Sequence, residues 1–169
     1  MSDDGPWTRR LAELGVLLPA PPPPVANFLP ARRHHGLLFV SGQGPVENGQ
    51  PVLTGRVGGG VSVEEAYAAA RLCALNSVAV AAERIGGVDR IVRVVKVLAF
   101  VASSDDFHDQ PSVVNGASDL LVELFGDAGR HARSAIGTHS LPFAIPVEIE
   151  VAFEIDEAGM RHVDTLEAR

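Results

Sequence analysis

The chain has 169 residues, 46% of them hydrophobic and 5% aromatic, and a formal net charge of −7. One domain with a sizeable core fits that length, and the acidic balance argues against sequence-independent nucleic-acid binding, which relies on a basic surface. No apolar run approaches the roughly 20 residues of a membrane span, and the opening MSDDGPWTRR lacks the apolar stretch of a secretory signal, so a cytoplasmic protein is expected.

Residues 1–30 read as an appendage. Thr8 to Leu14 suits a short helix stopped by Gly15, and Pro19 to Pro24 suits an extended polyproline strap over the domain. Arg32, Arg33, His34 and His35 form a local basic patch. Leu37 to Ser41 is predicted as a strand, followed by the glycine-bearing SGQGP, where backbone can approach another chain or a ligand. Asn48-Gly49 marks a turn, and Pro51 to Thr54 a short returning strand. The glycine loop from Gly55 to Gly60 lacks the Gly-Lys-Ser/Thr of a phosphate cradle.

Ser62 and Glu65 make a capping box at the start of a long helix, predicted to run to Ile85 and stop at Gly86-Gly87. Val63, Ala66, Tyr67, Ala70, Cys73, Ala74, Val78, Ala81 and Ile85 form its apolar stripe. The many alanines predict a close seat on a sheet. Asn76 needs a hydrogen-bond partner if buried. Cys73, the single cysteine, reads as a small buried hydrophobe.

Residues 90–101 form a long strand, apolar on both faces. A second helix is expected from Pro111 to Phe125. Two helices cannot cover both faces of such a sheet, which points to a partner subunit. Two closing strands follow between His131 and Ile155, read as paired through a short Pro-containing loop. A period of two places Glu148 and Glu150 on one face and Val147, Ile149 and Val151 on the other. Arg133 and Glu148 near the strand ends suit either a solvated ion pair or half of a carboxylate-reading site. Glu150 reads as a structural partner of Lys96, and Ser134 as a local hydrogen bonder. Residues 156–169 are a charged tail. The order is β-β-α-β-α-β-β, an α+β sandwich with both helices on one face of the sheet. Residues 31–155 are expected to form the domain proper. None of the six histidines has metal-site spacing, and no serine or cysteine lies in a nucleophile elbow.

Several stretches in this order resemble the Rid (YjgF/YER057c/UK114) family, once labelled L-PSP endoribonuclease. They are LLFVSGQGP, the helix bearing Asn76 with its following Lys96 strand and Asp106-Phe107 turn, Asn115, and ARSAIG…LPFAIPVEIEVAF. The resemblance spans roughly residues 25–155. It implies a chorismate-mutase-like fold, a homotrimer with clefts between subunits, and hydrolysis of enamines and imines such as 2-aminoacrylate to 2-keto acids and ammonia. No metal or organic cofactor is implied. Arg133 matches the arginine that grips the substrate carboxylate, a role suited to a planar guanidinium. Glu148 matches the glutamate that activates water. Ser41 and Gly42 match the turn bordering the cleft, and Asn115 a cleft-lining amide. Phe28 stands where the enamine hydrolases carry a tyrosine, Ala135 replaces a cysteine, His131 replaces a proline, and the Phe107 to Val114 stretch is longer. These departures bear on the substrate rather than the fold, and a non-catalytic keto-acid binder is the alternative. The acidic charge and the absence of a His-His or His-Lys acid/base arrangement argue against a ribonuclease.

Overall fold

The computed structural model describes residues 5–21 and 26–158. Pro22 to Pro24 of the polyproline strap lie outside the described residues with Val25, as does the tail beyond Ala158 with His162. The elements are α1 (Pro6–Leu14), β1 (Ala31–His34), β2 (Leu37–Gln43), β3 (Val46–Glu47), β4 (Gln50–Pro51), α2 (Val63–Ile85), β5 (Ile91–Ala102), α3 (Gln110–Phe125), β6 (Ala132–Thr138) and β7 (Val147–Ile155). Five strands make the main sheet in the order β1-β2-β7-β5-β6, and β3 and β4 form a separate two-strand ladder. The main-sheet strands and two long helices follow the β-β-α-β-α-β-β order, the α+β chorismate-mutase-like fold expected above.

The membership of that order differs at the front. The segment near Pro51 stays outside the main sheet, and the basic patch supplies the first strand instead. Arg32 pairs with Phe39 and Arg33 with Leu38, turned by His35 and Gly36 at φ 48° and 74°. Positive φ at both central residues matches the right-handed twist of the flanking strands. His-Gly lacks the familiar Asn-Gly signature of such turns, which is why the hairpin escapes a reading of residue types alone.

The closing strands do not pair with each other. β6 runs parallel to β5, with Arg133 opposite Val97. β7 runs antiparallel to both β5 and β2, inserted between them. A short connection between strands usually joins neighbours. Here α3 carries the chain back to make β6 the parallel edge strand, so the loop after Thr138 crosses over β5.

α2 begins at the capping box as expected: Ser62 Oγ accepts from Glu65 N at 3.1 Å, and Glu65 Oε2 accepts from Ser62 N at 2.8 Å. Its alanine face lies on the sheet, where Ala66, Ala70, Cys73, Ala74, Val78 and Ala81 are buried against a core including Leu38, Ile149 and Phe153. Asn76 finds two backbone acceptors, donating to Gly44 O and Val46 O at 3.0 Å each. Burial pushes the Cys73 thiol well above its ordinary pKa, so it stays a packed thiol.

α3 packs against α2 through Gly116, where an added Cβ would sit 2.0 Å from Tyr67 O. Backbone cannot yield as a side-chain tip can. Gly116→Ala is expected to destabilise the fold by about 2–3 kcal/mol, read as a lower urea midpoint at unchanged slope. α1 is docked rather than free. Asp89 Oδ1 accepts from Trp7 N at 2.7 Å and Thr8 N at 3.2 Å, capping the helix from a distant turn. Trp7 Nε1 donates to Ile91 O at 2.8 Å, and the Trp7 ring meets Phe125 edge-on at 5.2 Å.

The helices cover one face of the sheet only. On β7, Val147, Ile149, Val151, Phe153 and Ile155 point into the core, and Glu148 and Glu150 point to the other side. That open face carries half-buried Leu98 and Phe100 on β5, with Phe39 48% and Ile136 46% exposed. No helix among the described residues is long and apolar enough to cross a membrane.

Candidate active site

β2 carries a bulge between Val40 and Gln43, where Ser41 and Gly42 leave the ladder with β7. Bulges re-aim the chain at functional sites. Gln43 holds this one: its side chain is buried, and Nε2 donates to Ser41 O at 3.0 Å and Gly42 O at 3.2 Å. The bulge brings Gly42 against Glu148, because a Cβ on Gly42 would lie 2.2 Å from Glu148 Oε1. Only glycine leaves that carboxylate its place. Partial burial, with the Glu150 charge adding to it, raises the Glu148 pKa above the ordinary 4.5. Glu148 is thus a more basic carboxylate than a solvated one.

Ser41 uses its hydroxyl structurally. Oγ donates to Leu29 O at 2.7 Å, and Ser41 N donates to Pro30 O at 2.9 Å. These bonds tie the segment carrying Phe28 to β2. Phe28 itself is 50% exposed.

Arg133 lies at the other edge. Its partner Val97 is a core residue, so the side chain leaves β6 on the helix side. There Nη1 donates to Asn115 Oδ1 at 2.9 Å and to Ser118 Oγ at 3.0 Å. Asn115 and Ser118 are three residues apart on α3 and share a face. Nη1 has two hydrogens and both are used. The Nε–Nη2 edge engages no described residue, leaving a planar pair of donors of the shape a carboxylate accepts.

The network extends past Ser118. His131 Nε2 lies 3.1 Å from Ser118 Oγ, and Nδ1 2.7 Å from Gly129 O. Burial, with Arg133 and Lys96 nearby, lowers the His131 pKa below the ordinary 6.5 despite its bond to Gly129. As pH falls below 6.5, the unfolded chain takes this proton before the folded one does. The stability contributed by neutral His131 is therefore present above 6.5 and lost as pH falls through the lower folded value. Chemical denaturation between pH 7 and pH 5 is expected to show that loss, and His131→Asn to reduce it.

Lys96 and Glu150 do not form the expected pair. Lys96 Nζ donates instead to Ser134 Oγ at 2.9 Å. In the register, Lys96 lies opposite Ala152 and Glu150 opposite Leu98, which sets the two groups two residues apart along β7. Among the described residues, no group of three or more His, Cys, Asp or Glu side chains gathers as metal ligands would.

Two clusters result: Gly42 with Glu148 beside Ser41, and Arg133 with Asn115. They do not meet within one chain. Glu148 is level with Phe100 on the open face, whereas Arg133 is level with Val97 on the helix face of an edge strand. Two strand spacings and three residues of rise put their Cα atoms on the order of 14 Å apart, with side chains on opposite sides. Gln43, Ser118 and His131 are the supporting residues that sequence reasoning missed. The stretch SGQGP was read for its glycines and not for the Gln43 side chain, and no spacing rule links Ser118 to His131.

The family model described as "YjgF/chorismate mutase-like, putative endoribonuclease" matches residues 8–149. Protein TCP17 of Trypanosoma cruzi is 42% identical over 147 residues, 86% of this chain and 92% of that protein. The Agrobacterium tumefaciens protein Atu1372, of unknown function, is 46% identical with a TM-score of 0.81, covering 88% of this chain and 92% of that one. A Shewanella oneidensis protein bearing the same "putative endoribonuclease" label is 30% identical with a TM-score of 0.84, covering 88% and 99%.

Proposed function

Because the chain belongs to the YjgF/chorismate mutase-like (Rid) family, we propose that it hydrolyses 2-imino or enamino acids of the 2-aminoacrylate type to 2-keto acids and ammonia. The observation that carries this reading is the presentation of Arg133, held by one nitrogen from α3 while its Nε–Nη2 edge engages none of the described residues. The substrate carboxylate meets that edge. Glu148 takes a proton from water as it attacks the imine carbon and passes it to the nitrogen, and the resulting carbinolamine breaks its C–N bond to give the 2-keto acid and ammonia. The imine is already electrophilic, so positioning and a poised base are what the protein must supply.

Neither cluster suffices alone, so the site closes between copies of the chain. The helix-side edge bearing Arg133 of one chain faces the open sheet face bearing Glu148 of the next. A homotrimer closes such head-to-tail contacts into a ring. The half-exposed Phe39 and Ile136 on that face support a covering copy.

The test is to generate 2-aminoacrylate in situ and follow its decay and ammonia release with and without the protein. Decay no faster than the blank would exclude the hydrolase. Phe28, which brings no hydroxyl, favours a second reading: a trimeric keto-acid binder. That protein would show 2-keto-acid-dependent thermal stabilisation requiring Arg133, with no ammonia released.

A further inference from the structure

The Arg133 guanidinium is fixed by a chain of side chains that extends beyond the residues able to touch a ligand. Donor and acceptor roles along it follow from chemistry. Gly129 O only accepts, so His131 Nδ1 carries a hydrogen. In the neutral ring Nε2 is then a bare acceptor. Arg133 Nη1 only donates, so Ser118 Oγ accepts from it. The one hydroxyl hydrogen of Ser118 is left for His131 Nε2. Every group in the chain has a single role consistent with its neighbours.

We propose that His131, acting through Ser118, is a positioning residue for Arg133: it aims the Ser118 oxygen at Nη1 and thereby turns the Nε–Nη2 edge toward the ligand carboxylate. This deepens the carboxylate-binding reading and rests on it. Burial first, and then the charges of Arg133 on β6 and Lys96 on β5, favour the neutral ring that the arrangement requires. The acidic groups of the adjoining elements are engaged elsewhere: Asp119 of α3 accepts from Tyr67 Oη, and Asp127 of the turn before β6 accepts from Arg130. Asn115 fixes only one hydrogen of Nη1, so the guanidinium can still swing about that bond when Ser118 is undirected.

The experiment is a double-mutant cycle on 2-keto-acid affinity, with pyruvate as the probe and calorimetry as readout, alongside thermal melting. His131→Leu is expected to weaken pyruvate binding about tenfold, the effect of one charge-assisted hydrogen bond losing its alignment. His131→Gln, whose Oε1 can accept from Ser118, is expected to restore most of it. In a Ser118→Ala background, His131→Leu should have no further effect on affinity, because the two act in series. Additive losses, or a His131→Leu protein that melts lower but binds pyruvate as the wild type does, would overturn the proposal while leaving the carboxylate site standing. Failure of the wild-type protein to bind pyruvate at all would overturn both.

Discussion

Arg133→Ala is expected to cost roughly 100-fold or more in affinity for a 2-keto acid, and a comparable factor in kcat/KM toward 2-aminoacrylate. Two charge-assisted hydrogen bonds of about 1.5 kcal/mol or more each give that figure. The fold should change little. Arg133 is partly exposed, and its partners Asn115 and Ser118 can turn to water once released. Stability within about 1 kcal/mol of wild type is the expected outcome, as for other exposed polar pairs. A variant that loses activity by melting would instead place Arg133 in the scaffold. Arg133→Lys should recover little, because an ammonium cannot present two parallel donors.

Glu148→Gln is expected to lower kcat by roughly 10²–10⁴, the usual contribution of a positioned general base, with KM nearly unchanged. Wild-type kcat/KM should rise with pH through the raised Glu148 value, since the base acts as the carboxylate. The stability effect has the opposite sign to the activity effect. Raising a carboxyl's folded pKa favours its neutral form, so the stability it contributes is full below the ordinary 4.5 and lost as pH rises through the folded value. Glu148→Gln should therefore melt higher than wild type at pH 7, and the gap should close near pH 4. A variant that melts lower at pH 7 would show that the carboxylate has a stabilising partner instead. Gly42→Ala approaches the same group from the backbone, because its Cβ must displace Oε1 from 2.2 Å. Its kcat should fall with the melting temperature largely kept.

Local chemistry made much of the fold legible. Ser62, Glu65 and Gly86 delimit α2 because capping and the left-handed stop are set by nearby backbone. Asn76 announced a partner because a buried amide cannot stay unpaired, and Gly44 and Val46 supply it. Strand partnership was harder. β7 lies between β2 and β5, which no local pattern in VEIEVAFEI encodes, and β6 pairs parallel through a helix rather than through its shorter loop. Strand β1 was hidden because Arg32, Arg33 and His34 look like a charge patch when their edge position is unknown. In the candidate site, Arg133, Glu148, Gly42 and Asn115 were readable through family resemblance. The period of two put Glu148 on the face opposite Val147, Ile149 and Val151, as found, but the face of Arg133 was not readable, because it follows from the register of β6 on β5. Ser118 and His131 have no motif; only the folded distance of 3.1 Å joins them.

If Arg133 of one chain and Glu148 of another build one site, two variants that are each inactive should complement each other when mixed. Arg133→Ala chains keep Glu148, and Glu148→Gln chains keep Arg133. Co-refolded in equal amounts, they should regain about one quarter of wild-type 2-aminoacrylate hydrolysis, the fraction of interfaces in a randomly mixed trimer that pair both intact residues. If both residues served within one chain, no mixed assembly would hold an intact site. Activity no higher than that of the separate variants would rule out a site shared between chains.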